Sequence, residues 1–267
     1  MECKKDQFVA GIDVGSTAIK VTLYDGLRYR SWLEPTGWNP RQGAANLLSR
    51  AVDKWGFSTA VPTRIFGTGY GRVGLTFLSK AITEITCHAR GASYLVPGIN
   101  TVLDIGGQDA KAIRVDQAGK VVDFIMNDKC AAGTGRFLQV MANAMAIDIS
   151  ELAALDSDNL PEAHPINSMC AVFAESEVIG LLNQGVSRLA IILGLYKSIS
   201  SRIVSMAARV YPQPPFVLTG GVSKHALLRA ELERELKEQV IVPEDAVFAG
   251  SLGAALYAWD DLIKGGN

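Results

Sequence analysis

Asp13-Val-Gly-Ser-Thr-Ala-Ile-Lys20 and Asp104-Ile-Gly-Gly-Gln-Asp-Ala-Lys111 repeat one pattern, 91 residues apart. Each runs acid, aliphatic, glycine, small, polar, and ends on a lysine seven positions after the acid. Apolar starts, FVAGI and NTVL, precede the two copies, and β-like runs, VTLY and AIRV, follow them. The pattern predicts a strand, a tight turn and a returning strand, used twice. Glycine lets such a turn approach an anion closely. Backbone N–H groups, with the hydroxyls of Ser16 and Thr17, can hold phosphate oxygens, and the aspartates can hold magnesium. One Asp-x-Gly is an ordinary β-turn; two matching copies in one chain call for a common explanation.

Two further glycine blocks follow. Val217-Leu-Thr-Gly-Gly-Val-Ser223 reads as strand into turn, and Ala249-Gly-Ser-Leu-Gly-Ala-Ala255 opens a small-residue helix. The second suits close approach to a nucleotide or, equally, tight helix-to-sheet packing. No GxxxxGK[ST] string occurs, so a P-loop is not expected, and neither is a Rossmann dinucleotide fingerprint. Helices are expected at RQGAANLLSRAVDKWG, around AITEITCHARGASYL and over 187–211, with a glycine-punctuated loop and helix at 67–78.

The chain has 267 residues, 48% hydrophobic and 20% charged, with formal net charge -1. That is enough for a large core and gives no electrostatic case for nucleic acid or an acidic membrane. The N-terminus carries no signal-like apolar segment, so a cytoplasmic location is expected, with no membrane partner.

Four cysteines stand at 3, 87, 130 and 170, none in a CxxC pair. Cys3 and Cys87 read as incidental thiols, and Cys87-His88 as an interior helix pair. His164 and His225 stand isolated, and Glu175 and Glu177 read as helix N-terminal charge. Cys130, in NDKCAAGTG, precedes a helix-like run. Cys170, in NSMCAVFAESE, is expected in the first turn of a helix capped by Ser168 and stopped near Gly185. A helix N-terminus favours a thiolate, which suits either a redox nucleophile or a ligand to an anionic iron–sulfur cluster. Two cysteines are too few for a cubane of four; a symmetric homodimer would supply four.

The order of these blocks resembles the actin, Hsp70 and sugar-kinase superfamily, from residue 9 to about 258. That resemblance implies an α/β protein of two similar, ribonuclease H-like subdomains with ATP in the cleft between them. A first subdomain over 1–97 and a second over 98–267 are expected, with the C-terminal helix free to return to the first. NDKCAAGTGRFL, SMCAVFAESEVI, DIGGQDAKAI and TEITCHARGA narrow the resemblance to the BadF/BadG/BcrA/BcrD ATPases, the ATP-dependent activators of 2-hydroxyacyl-CoA dehydratases. This implies a homodimer holding one [4Fe-4S] cluster on Cys130 and Cys170 of each chain. It implies ATP/ADP and Mg2+ in each subunit, ferredoxin or flavodoxin as donor, and a dehydratase-type protein as acceptor of one electron. Asp13 and Asp104 would organise magnesium, and Gln108 or Asp109 would orient the attacking water. Gly15, Ser16, Thr17, Ala18, Gly106 and Gly107 would cradle phosphates, with Lys20 a further phosphate contact. Gly133 and Gly135 would serve the cluster loop, the phosphate site or both, and Gly220, Gly221, Val222, Ser223 and Gly250 the adenosine pocket. A sugar-kinase-like phosphotransferase on the same fold is the alternative; it gives Cys130 and Cys170 no role. A chaperone-like ATPase would need a peptide-binding extension that the reading does not find.

Overall fold

The structure, a computed structural model, describes residues 7–56, 61–155, 160–168 and 170–265. Cys3 lies outside the described residues. The chain divides into two compact units, one of residues 1–98, 117–121 and 245–267, the other of 99–116 and 122–244.

The first unit opens with β1 (Val9–Val14), β2 (Ala18–Tyr24) and β3 (Tyr29–Pro35), then α1 (Pro40–Trp55), β4 (Ile65–Thr68), β5 (Lys80–Ala81) and α2 (Glu84–Leu95). The second contains β6 (Thr101–Ile105), β7 (Ala110–Val115), all but the first residue of β8 (Val121–Asn127), α3 (Gly135–Ala144), α4 (Ile149–Ala153), α5 (Ala171–Asn183), α6 (Arg188–Ala207), β9 (Phe216–Thr219), α7 (Ala226–Leu236) and β10 (Val240–Ile241). The last helix, α8 (Ala249–Lys264), lies with the first unit.

The sheet orders are β3-β2-β1-β4-β5 and β8-β7-β6-β9-β10, one topology used twice. In each, the central strand pairs antiparallel with its hairpin mate and parallel with the strand that follows a helix, as a βαβ crossover requires. β1 is buried along its whole length, which sets its pattern. Ala10, Ile12 and Val14 face the α1 side, with Leu47, Leu48 and Ala51. Gly11 points to α8, so close that an added Cβ would lie 2.0 Å from the Ser251 carbonyl oxygen. α8 also packs on α2, where a Cβ added at Gly91 would lie 1.9 Å from Ala249 O and one at Gly253 1.9 Å from Cys87 O. The small residues of Ala249–Ala255 are therefore closely packed in the unit's interior.

Local chemistry sets the helix ends. Asn39 Oδ1 accepts the Gln42 N–H at 3.1 Å, Pro40 occupies the first turn of α1, and Gly56 closes it at φ 94°. α6 is apolar and long enough to cross a bilayer, but Ile191, Leu195, Ile199 and Ile203 lie in the second unit's core. Gly69-Tyr-Gly-Arg-Val-Gly74 spells a G-x-G-x-x-G string. It follows a strand but forms a 3-10 helix over Tyr70–Gly74 rather than opening an α-helix, so the fingerprint context is missing.

Candidate functional site

Both repeats fold as hairpins in the same register. Asp13 pairs across the strands with Lys20, and Asp104 with Lys111. One bond closes each turn: Gly15 N–H to Ala18 O at 3.1 Å, and Gly106 N–H to Asp109 O at 2.9 Å. Ser16 and Thr17 are exposed at the first tip, Gln108 at the second. Thr36 braces the first turn, donating its hydroxyl to Gly15 O at 2.8 Å and its N–H to Thr17 O at 3.0 Å.

The lysines meet the aspartates they face. Lys20 Nζ lies 3.0 Å from Asp13 Oδ2. Lys111 Nζ, fully buried, lies 3.1 Å from Asp104 Oδ2 and 2.9 Å from Asp109 Oδ2. The duplication goes further than the hairpins. β4 ends in Thr68-Gly69 and β9 in Thr219-Gly220, with Thr68 in register with Asp13 and Thr219 with Asp104. Gly69 and Gly220 have φ 81° and 89°, the left-handed region open to glycine. A Cβ at Gly220 would sit 2.3 Å from Ile105 O; one at Gly69 would sit 2.5 Å from Asp13 Oδ1. Each glycine starts a 3-10 turn, Tyr70–Gly74 or Gly221–Lys224. The second turn is closed by Ser223, whose hydroxyl donates to Gly220 O at 2.7 Å; Val222 is buried and Gly221 exposed.

The copies differ at the carboxylates. The Thr219 hydroxyl donates to Asp104 Oδ1 at 2.8 Å, so protein donors take both oxygens of Asp104. Asp13 Oδ1 is buried without a hydrogen-bond partner among the described residues. A buried carboxylate oxygen left unsatisfied fits a hard cation such as Mg2+. Gly250 belongs to this corner: a Cβ there would meet His88 Nε2 at 2.8 Å and Asp13 Oδ2 at 3.0 Å. Cys87 and His88 are interior, as expected, and burial pushes the Cys87 thiol up to about 12.

The cysteine segments belong to the second unit. Asn127 Nδ2 donates to Cys130 O at 2.9 Å, folding the loop back on the end of β8. Gly133 takes φ 84°, and Thr134, buried, gives its hydroxyl to Ala131 O at 2.7 Å. The start of α3 then rests on the second hairpin turn: Gly135 N–H donates to Gly106 O at 2.9 Å and Arg136 N–H to Gly107 O at 2.7 Å. α3 packs on α5. Cys170 is itself the N-cap of α5 and stands just ahead of the first turn, not within it. Ser168 does not cap that helix, whose cap position lies two residues further on and makes no side-chain cap bond; its N–H donates to Glu177 Oε2 at 2.8 Å. Glu177, from the helix's second turn, also takes the Asn167 N–H at 2.9 Å, so it clamps the approach to Cys170 instead of serving as first-turn charge. Burial raises its carboxyl, but these donors outweigh that and hold it below the usual range. Both cysteines are free; Cys130 is half-buried and Cys170 exposed, a pair of soft donors suited to an iron–sulfur cluster.

Sequence reasoning missed Thr219, Thr68 and the pairing of Tyr196 with His225. The Tyr196 hydroxyl is 2.7 Å from His225 Nδ1 and donates to Leu152 O at 3.1 Å; burial pushes the imidazole down to about 4. The Thr-Gly repeat would have been the signal. It lies 115 residues after Asp104 in the second unit but only 55 after Asp13 in the first, because α3 to α5 intervene.

The model of the BadF/BadG/BcrA/BcrD ATPase family matches residues 10–258, so the chain belongs to that family. An activator of lactoyl-CoA dehydratase from Anaerotignum propionicum is 44% identical over 96% of this chain and 99% of its own length. The crystal structure of Acidaminococcus fermentans (R)-2-hydroxyglutaryl-CoA dehydratase component A superimposes with TM-score 0.91 at 40% identity, covering 96% of this chain and 99% of that one. The Clostridium difficile activator of 2-hydroxyisocaproyl-CoA dehydratase, solved with bound ADPNP, gives TM-score 0.89 at 36% identity over 97% of both chains. More distant matches, a ROK family glucokinase at 15% identity and an MreB at 11%, share the fold, with TM-scores of 0.54 and 0.58.

Proposed function

We propose that this member of the BadF/BadG/BcrA/BcrD ATPase family is an ATP-driven one-electron donor that activates a 2-hydroxyacyl-CoA dehydratase-type enzyme. The observation that carries the reading is the bond pair from Gly135 and Arg136 N–H to Gly106 and Gly107 O. It ties the turn proposed to hold phosphates to the helix that follows Cys130. A shift of the turn on nucleotide binding is thereby transmitted to the cysteine loop through two backbone hydrogen bonds, with no flexible linker to absorb it. The lactoyl-CoA dehydratase activator and the ADPNP-bound activator to which the chain is similar support the rest of the reading.

In this reading Asp13 holds magnesium through its unsatisfied oxygen, and the turns at Gly15–Ala18 and Gly106–Gly107 receive phosphates. Lys20 holds Asp13 in place. Gly220, Gly221, Val222 and Ser223 form the adenosine turn, and Gly250 keeps the wall beside Asp13 free of side chain. Cys130 and Cys170 would ligate a [4Fe-4S] cluster, which when bound supplies a single low-potential electron. Two thiolates per chain require a second copy to reach four, so the protein acts as a homodimer. Val172 and Phe173, 68% and 69% exposed beside Cys170, give that face apolar surface to cover. A ferredoxin or flavodoxin reloads the cluster, and unequal binding of nucleotide to two conformations is what couples hydrolysis to transfer.

Iron and acid-labile sulfide, measured on protein purified without oxygen, test this directly. About four of each per two chains is expected, with visible absorbance that bleaches under dithionite. No iron after anaerobic reconstitution would remove the electron-donor reading and leave the nucleotide fold.

A further inference from the structure

Lys111 has no exposed surface, and an ammonium is buried so completely only when paired. Two carboxylates surround it. Asp104 has a protein donor on each oxygen, Lys111 on Oδ2 and the Thr219 hydroxyl on Oδ1. Asp109 does not. Its Oδ2 comes within 2.9 Å of Lys111 Nζ without meeting hydrogen-bond geometry, and its Oδ1 lies over the turn glycine, 2.4 Å from where a Cβ on Gly106 would stand. The turn itself does not need this acid. Ala18 occupies the matching position in the first hairpin and closes the same Gly N–H bond, at 3.1 against 2.9 Å. A second buried carboxylate in a turn that folds without one is costly, and the fully buried lysine offsets that cost.

We infer that Asp109 is the working carboxylate of the second turn, and that Lys111 and Asp104 are positioning residues that aim it. This deepens the ATPase reading and rests on it. Water attacks the γ-phosphorus, the bond from that phosphorus to the ADP oxygen breaks, and the water's proton passes to Asp109 and then to solvent. Asp104 takes no direct part, in contrast to the magnesium role its register with Asp13 suggested.

The test is steady-state hydrolysis of Mg-ATP by the full-length protein, with kcat and KM separated. Asp109→Asn, nearly isosteric, should lower kcat about 100-fold and leave KM within about threefold. Asp104→Asn leaves Lys111 paired with Asp109, so no buried charge is left alone. It should lower kcat at least about tenfold with ATP binding kept, a split that a purely structural role would not produce. Should Asp104→Asn not fold, Asp109→Asn decides alone. Wild-type kcat in Asp109→Asn overturns the inference while the ATPase reading stands. Absence of hydrolysis in the unaltered protein sinks the ATPase reading instead, and this inference with it.

Discussion

The two hairpins share register, turn closure and an acid–lysine pair, yet one is open and the other closed. In the first, Lys20 is 14% exposed and Asp13 keeps a buried oxygen with no hydrogen-bond partner among the described residues. In the second, Lys111 is fully buried, Thr219 occupies the corresponding oxygen of Asp104, and α3 is bonded to the turn. Duplication supplied the same backbone twice; the side chains then divided the work. The open copy leaves a buried carboxylate oxygen available, and the closed copy encloses its lysine between two carboxylates. Even the residue after each 3-10 turn follows this division, with Leu75 in one unit and the buried, hydrogen-bonded His225 in the other.

The largest effect should come from the element that only the second unit possesses. Cys130→Ala or Cys170→Ala should reduce bound iron to background in anaerobic preparations, with ATP affinity measured by calorimetry unchanged. Full iron in either variant would falsify the ligand assignment. Next, Asp13→Ala should lower ATP hydrolysis by about 10²- to 10³-fold, the scale of losing a key electrostatic group, while iron content stays the same. An undiminished rate would show that the open oxygen is not the metal site. Third, Gly135→Pro deletes the N–H bonded to Gly106 O at a first-turn position where proline is tolerated. ATP hydrolysis should persist, but ATP-stimulated electron transfer to a dehydratase-type acceptor should fall by about tenfold, the few-bond scale of allosteric coupling. Equal stimulation would mean the tether carries no signal.

The smallest effect is a pH slope. His225 is held neutral by burial, with its pKa lowered from 6.5 to about 4. Its contribution to stability is therefore complete above about pH 6.5 and lost as pH falls toward 4. Between pH 7 and 5.5 the loss is about 1 kcal/mol, a few degrees in Tm for a protein of this size. His225→Gln should show a flatter Tm profile over that window. Parallel profiles would mean the imidazole is free to charge in the folded protein.

Much of this was legible because hairpins are local. Asp13 and Lys20, or Asp104 and Lys111, are seven residues apart, and strand alternation alone sets them face to face. The helix read from RQGAANLLSRAVDKWG forms between its Asn39 cap and Gly56. Where a distant side chain competed, the local reading gave way. Ser168 has the right chemistry for an N-cap, but the segment before the helix is held by its N–H to Glu177, and Cys170 occupies the cap position. Glu177 itself passed for helix-end charge because its partners lie outside the helix.

The sequence by itself determined the duplicated Asp-to-Lys hairpins, the glycine turn after β9 and, through its motifs, the family. Each depends on contacts within about one turn or one hairpin, which residue order dictates. Tertiary structure alone decided which carboxylate oxygen stays open and which is filled. Thr219 reaches Asp104 across 115 residues because β9 lies parallel beside β6. The same pairing of β4 with β1 places Thr68 beside Asp13 but leaves Asp13 Oδ1 without a hydrogen bond. Strand pairing of that range is set by burial of whole sheets, and no local spacing records it.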